Sequence, residues 1–84
     1  MTKELIATLL AIHKKVYPGA KHNRPAIAKM AKQALDKHSF DEVLAAFSKY
    51  LASRTEYLVS NEHPVRIFLG QASEWVEKVN GGGR

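Results

Sequence analysis

Apolar residues recur at helical spacing through most of the chain, and that periodicity leaves little room for a sheet. Leu5, Leu9, Ile12 and Val16 form one stripe, widened by Ile6, Leu10 and His13. Thr2 is placed to cap this first helix, and Pro18-Gly19 ends it, leaving 17–23 as a loop. A second helix opens at Arg24-Pro25, since proline suits the first helical turn and Asn23 supplies a capping oxygen. Its inner face is Ile27, Met30, Ala31, Ala34 and Leu35, with Lys29, Lys32 and Lys37 on the other side. Ser39-Phe40-Asp41-Glu42 is a capping box that starts a third helix, expected to run to about Arg54. Phe40, Val43, Leu44, Phe47, Tyr50 and Leu51 are its inner face. The short junction Asp36–Ser39 makes helices two and three an angled or antiparallel pair.

Further along the pattern weakens. Tyr57-Leu58-Val59 has the look of a brief extended piece, and His63-Pro64 opens a fourth helical segment. Val65, Phe68, Leu69, Ala72, Trp75, Val76 and Val79 keep helix spacing straight through Gly70. Gly70 therefore marks either a break before a final helix or a close helix–helix contact. Asn80 to Arg84 should be a flexible end. The expectation is an all-α, single-domain bundle of three to five helices over residues 1–79, with a tail over 80–84. At 84 residues there is room for one core only. The absence of cysteine excludes disulfides, a thiolate metal site and a cysteine nucleophile. The apolar run Leu5–Ile12 is far below the roughly 20 residues that cross a bilayer, and it lacks the flanks of a secretory signal. No membrane partner is expected, and the expected location is the cytoplasm, that of the host if the chain is phage-encoded.

Charge is distributed unevenly. Between His13 and His38 stand seven cations, Lys14, Lys15, Lys21, Arg24, Lys29, Lys32 and Lys37, against the single acid Asp36, a block of +6. From Ser39 to Val79 four cations face six acids, giving −2 in a chain whose formal net charge is +5. Such polarity calls for a counter-charged partner, of which nucleic acid is the commonest. Tyr17, His22 and Asn23 are interleaved with the cations. Cations that track phosphates beside aromatic faces that accept any base suit a single strand. About five phosphate contacts would make affinity fall on the order of a few hundredfold between 50 and 200 mM salt, at the duplex slope.

Other chemistries find no foothold in the sequence. His13, His22, His38 and His63 are scattered, with none at metal-site spacing from another. Asp41 and Glu42 serve the capping box, and Glu74 with Lys78 should form an i, i+4 ion pair. No serine sits in a nucleophile elbow, and no glycine-rich phosphate loop occurs. No catalytic residue, metal, cofactor or small-molecule substrate is assigned. Helices two and three make a poor helix-turn-helix, because the third begins with two acids that would face phosphates. Phe68 and Trp75 are expected to close the core, while Arg66, Gln71 and Trp75 form a secondary contact set should the indole be exposed.

The layout of Tyr17-Pro18, Ser39 to Val43, Tyr50, and His63-Pro64 through Phe68 to Trp75 resembles the C-terminal modules of phage replication proteins of the replisome-organiser and helicase-loader type. The resemblance covers about Leu5 to Val79. It implies DNA binding, often to single strands, and contact with the replicative helicase or its loader. Phe68 and Trp75 lie seven apart, so the tyrosine–isoleucine–tryptophan spacing of some DNA-binding members is not reproduced. The function expected is thus a non-specific DNA-binding accessory domain of a phage or mobile-element replication complex. The contacts would be Lys14, Lys15, Tyr17, Lys21, His22, Arg24, Lys29, Lys32 and Lys37. The alternative is a phage inhibitor or adaptor whose basic face docks on an acidic host protein. Exposed apolar side chains around Phe68, Leu69 and Trp75 would favour it.

Overall fold

The computed structural model describes residues 2–81 and places six α-helices among them: α1 Thr2–Val16, α2 Arg24–Lys37, α3 Phe40–Ala52, α4 Glu56–Ser60, α5 Val65–Gly70 and α6 Ala72–Asn80. The described residues contain no strand, so the chain is a small all-α bundle. Its extents are 36 × 30 × 18 Å, and the short axis holds about two layers of helices roughly 10 Å across. α3 packs most extensively on α6, and α2 bridges α1 and α5. Gly81 caps α6, and the part of the expected tail beyond it, 82–84, lies outside the described residues.

Local signals set the helix starts. Asn23 Oδ1 accepts from the Ala26 amide at 3.2 Å. At α3 the Ser39 amide donates to Glu42 Oε1 at 2.9 Å, and the Glu42 amide donates to Ser39 Oγ at 3.1 Å. That satisfies two otherwise orphaned donors reciprocally. Asn80 Nδ2 donates to Glu42 Oε2 at 3.4 Å, which ties the end of α6 to the start of α3. The core is aromatic at its centre: Phe47, Tyr50 and Phe68 are fully buried. Phe47 and Phe68 have ring centroids 5.0 Å apart, and Trp75 meets Tyr50 edge-on at 5.3 Å.

Six expectations need correction. Tyr57-Leu58-Val59 is not extended but lies in α4, closed by the Val59 amide donating to Thr55 O at 3.0 Å. Three residues are too few for periodicity to separate one helical turn from a strand. With α5 and α6 separated, this raises the count above the three to five helices expected. Thr2 is the first helical residue rather than a cap ahead of it, and α3 stops at Ala52 with Ser53 as C-cap. Val16 and Val79 leave their stripes for solvent, at 52% and 40% exposure. Lys78 does not pair with Glu74; its Nζ lies 4.4 Å over the Trp75 ring, a cation–π contact. Gly70 fulfils both readings offered for it. It ends α5, and a Cβ there would stand 3.2 Å from Met30 Cε.

The capping box carries a prediction. Ser39→Ala should lower the unfolding free energy by about 1 kcal/mol, read from urea melts. The Glu42 carboxyl is held below its ordinary value first by the Ser39 amide and then by the Asn80 side chain. Its contribution is therefore present above the unfolded carboxyl pKa and lost as pH falls through the folded one. Between about pH 6 and pH 3 the wild type should lose more stability than Glu42→Gln. Parallel losses in the two proteins would remove the Glu42 charge from this account.

Candidate nucleic-acid interface

The site is built on a turn that the backbone does not favour. Between α4 and α5, Glu62 and His63 adopt φ values of 61° and 45°. Side chains other than glycine reach that left-handed region at a cost of about 1–3 kcal/mol each, so the surroundings must enforce it. Side chains from two distant helices and one loop, together with the His63 ring itself, do so. The His13 ring nitrogen Nε2 on α1 lies 2.8 Å from Glu62 O and 3.0 Å from His63 O. Two carbonyl partners assign the proton to Nε2, which donates to both. Tyr50 on α3 donates its hydroxyl to Pro64 O at 2.7 Å. His63 itself, 2% exposed, donates from Nε2 to Ser53 O at 2.8 Å. Its Nδ1 then accepts from the Tyr17 hydroxyl at 2.6 Å. Burial first, then Tyr57 and Tyr17, pushes the Tyr50 hydroxyl well above its ordinary pKa, which keeps it a donor.

This clamp anchors the basic loop. Tyr17, at the loop's first position, stacks on His63 with centroids 5.7 Å apart. His22, near its end, packs edge-on against His13 at 4.9 Å. Burial first, then His13 and Arg24, lowers the His22 pKa, so the imidazole is neutral near pH 7. Nδ1 of His13 is buried with no hydrogen-bond partner.

All seven cations of the basic block are exposed. None lies within 4.0 Å of a carboxylate among the described residues. The fold brings only part of the block together. Lys14 and Arg24 edge one depression of about 250 Å³ with Tyr17, Pro18 and His22. Lys21 lines a neighbouring cleft, also about 250 Å³, with His22, Asn23 and, from α5, Arg66. His22 and Ala20 are common to both walls. Lys29 and Lys32 project from the solvent side of α2, opposite buried Ile27, Ala31 and Ala34. Lys37 sits at the far end of α2, roughly 20 Å from Arg24 along the axis, beside a depression that Glu74 also lines. Lys15 is exposed on α1 and lines none of these hollows.

The secondary contact set divides. Trp75 is buried, and its indole Nε1 donates to Gln71 Oε1 at 3.3 Å. Arg66 is elsewhere, on the cleft with Lys21. Sequence reasoning missed the joint role of His13, His63 and Tyr50, although Tyr17 stands four residues after His13, just past the end of α1. Among the described residues no three of His, Cys, Asp and Glu are placed to hold a metal ion.

The clamp predicts opposite responses from two neighbours. Tyr17→Phe strips His63 Nδ1 of its donor and should cost about 1–2 kcal/mol in urea unfolding. Glu62→Gly keeps the carbonyl that His13 binds and removes the Cβ penalty. It should be neutral or stabilising by up to about 1 kcal/mol. A Glu62→Gly variant clearly less stable than wild type would contradict the strained turn. No protein-family model matches the chain, and neither a curated protein nor a solved structure matches it.

Proposed function

We propose that this chain binds nucleic acid without sequence preference, single-stranded DNA foremost, as an accessory domain of a phage or mobile-element replication complex. One observation carries the reading: seven exposed cations within 26 residues, none with a carboxylate partner within 4.0 Å among the described residues. What sets this stretch apart is its density of like charge, seven cations to one acid, which is the footprint of a surface that meets phosphates. The compact part of that face is the 17–23 loop with Lys14, Lys21 and Arg24, and the outer side of α2 extends it through Lys29 and Lys32. Contact with a replicative helicase or its loader remains an implication of the resemblance.

The adaptor reading has less support. Phe68, Leu69 and Trp75, whose exposure would favour it, are all buried. The exposed large apolar residues Val16, Tyr57, Val59 and Val79 are spread over three helices and are not enough to define an apolar dock.

Fluorescence anisotropy with labelled single strand and duplex at 50 and 200 mM salt tests the proposal. About five contacts on a single strand should lower affinity on the order of a hundredfold over that range. Lys29→Glu with Lys32→Glu should weaken binding at least about tenfold at the lower salt, with unchanged helical circular dichroism. Wild-type affinity in that double variant would remove α2 from the binding face. Association that is insensitive to salt would overturn nucleic-acid binding altogether.

A further inference from the structure

Arg66 is the cation whose position the sequence block does not foretell. It comes from α5, yet it faces the same cleft as Lys21, His22 and Asn23 of the α1–α2 loop. The α4–α5 turn forms the other wall through Asn61, Glu62 and Pro64. Two exposed cations from separate elements lining one hollow raise its positive potential and favour an anion there, against the single Glu62 carboxylate on the same lining. The helix terminus beside them contributes little. Pro25 has no amide hydrogen, and the Ala26 and Ile27 amides already donate to Asn23. The site is therefore one of side chains. Its wall also includes His13, whose buried Nδ1 has no partner. With Nε2 carrying the proton, Nδ1 is an acceptor, so it suits a hydroxyl or a bridging water rather than a phosphate oxygen.

We propose that this cleft is a phosphate subsite, where Lys21 and Arg66 hold one phosphate of a nucleic-acid strand between the α1–α2 loop and α5. The strand then passes over His22, the shared wall, and its next phosphate meets Lys14 and Arg24 in the adjoining depression. This deepens the nucleic-acid reading and rests on it. Glu62, exposed on the cleft wall, opposes the anion, so the site is tuned weak rather than tight. That is suitable for a protein that must release the strand. His22 is neutral in the free chain because burial, His13 and Arg24 disfavour its charge. A phosphate alongside favours the imidazolium, so binding takes up a proton there. The charged and titratable groups around His22 are His13 and Lys14 on α1, Arg24 on α2, Tyr17 and Lys21 in the loop, and Glu62 and Arg66 on the cleft.

The test uses the full chain and a labelled oligothymidine single strand, with affinity measured across salt concentrations. Arg66→Gln and Lys21→Gln should each lower affinity about three- to tenfold, and each should reduce the salt slope by about 0.7, the loss of one phosphate. The double variant should lose the slope of one phosphate, not two, because the pair shares it. Lys49→Gln removes the same charge from α3 and should leave the slope unchanged, while Glu62→Gln should tighten binding. From neutral pH to about pH 6, wild-type affinity should rise more than that of His22→Gln. Salt-dependent binding by the wild type with Arg66→Gln indistinguishable from Lys49→Gln would overturn the subsite and leave the broader function standing. Absence of wild-type binding at 50 mM salt would overturn both.

Discussion

Two consecutive residues in the left-handed region, Glu62 and His63, hold the second half of the molecule against the first. Were the turn to relax into extended backbone, α5 and α6 would leave α2 and α3, which supply most of their packing. The clamp uses polar groups where a larger protein would use more apolar area. His13, Tyr17, Tyr50 and His63 bring four hydrogen-bonding rings into a small core. Each ring covers apolar surface and directs a proton to a chosen carbonyl or nitrogen. A network of this kind favours one backbone geometry, because another would break several buried hydrogen bonds at once, although His13 Nδ1 stays unpaired even here. In a chain of 84 residues, with little apolar surface to spare, that specificity matters more than additional burial.

The clamp also fixes the basic loop in place. Both ends of the 17–23 segment are tied to it, Tyr17 through its hydroxyl on His63 and His22 through its ring on His13. A loop held at both ends keeps Lys21 in a fixed frame between Lys14 on α1 and Arg24 on α2. Binding an anion then requires less ordering than it would on a free loop. Charge repulsion within the block opposes folding only weakly, since exposed cations are screened over about 8–10 Å at ordinary salt. The fold therefore tolerates an unpaired basic surface at small cost.

How much of this the sequence disclosed follows the range of the interactions. Asn23, Ser39 and Glu42 act within three residues, and both caps were legible from spacing alone. The inner faces of α2 and α3 were legible for the same reason: period fixes side when the partner is any apolar surface. Tyr57 to Val59 was not, because one turn carries no period. The ion pair expected of Glu74 and Lys78 gave way to Trp75, whose ring offers Lys78 a partner one turn back along α6. The His13 bonds to Glu62 and His63 span 49 and 50 residues, and nothing local marks them. Arg66 joins the basic loop only because of that turn, so a reading that missed the turn had to misplace Arg66. The cations themselves were visible, but which of them share a hollow was not.

Tyr17 shows how fold and candidate function compete for one side chain. Its ring and its position among cations suit a platform for bases, which is how the sequence presents it. In the fold its hydroxyl is the donor that His63 Nδ1 requires, and its face lies along the His63 ring. Swinging the ring out to stack on a base would break that bond and leave a nearly buried imidazole nitrogen unpaired, at about 1–3 kcal/mol. A single base stack returns about the same amount, so the exchange gains little. The tie of His22 is a ring contact with His13 rather than a hydrogen bond, and His22 stands between the two hollows that the cations edge. On the proposed reading, Tyr17 is therefore kept for the loop's hydrogen bond to His63, and contact with a strand falls to His22.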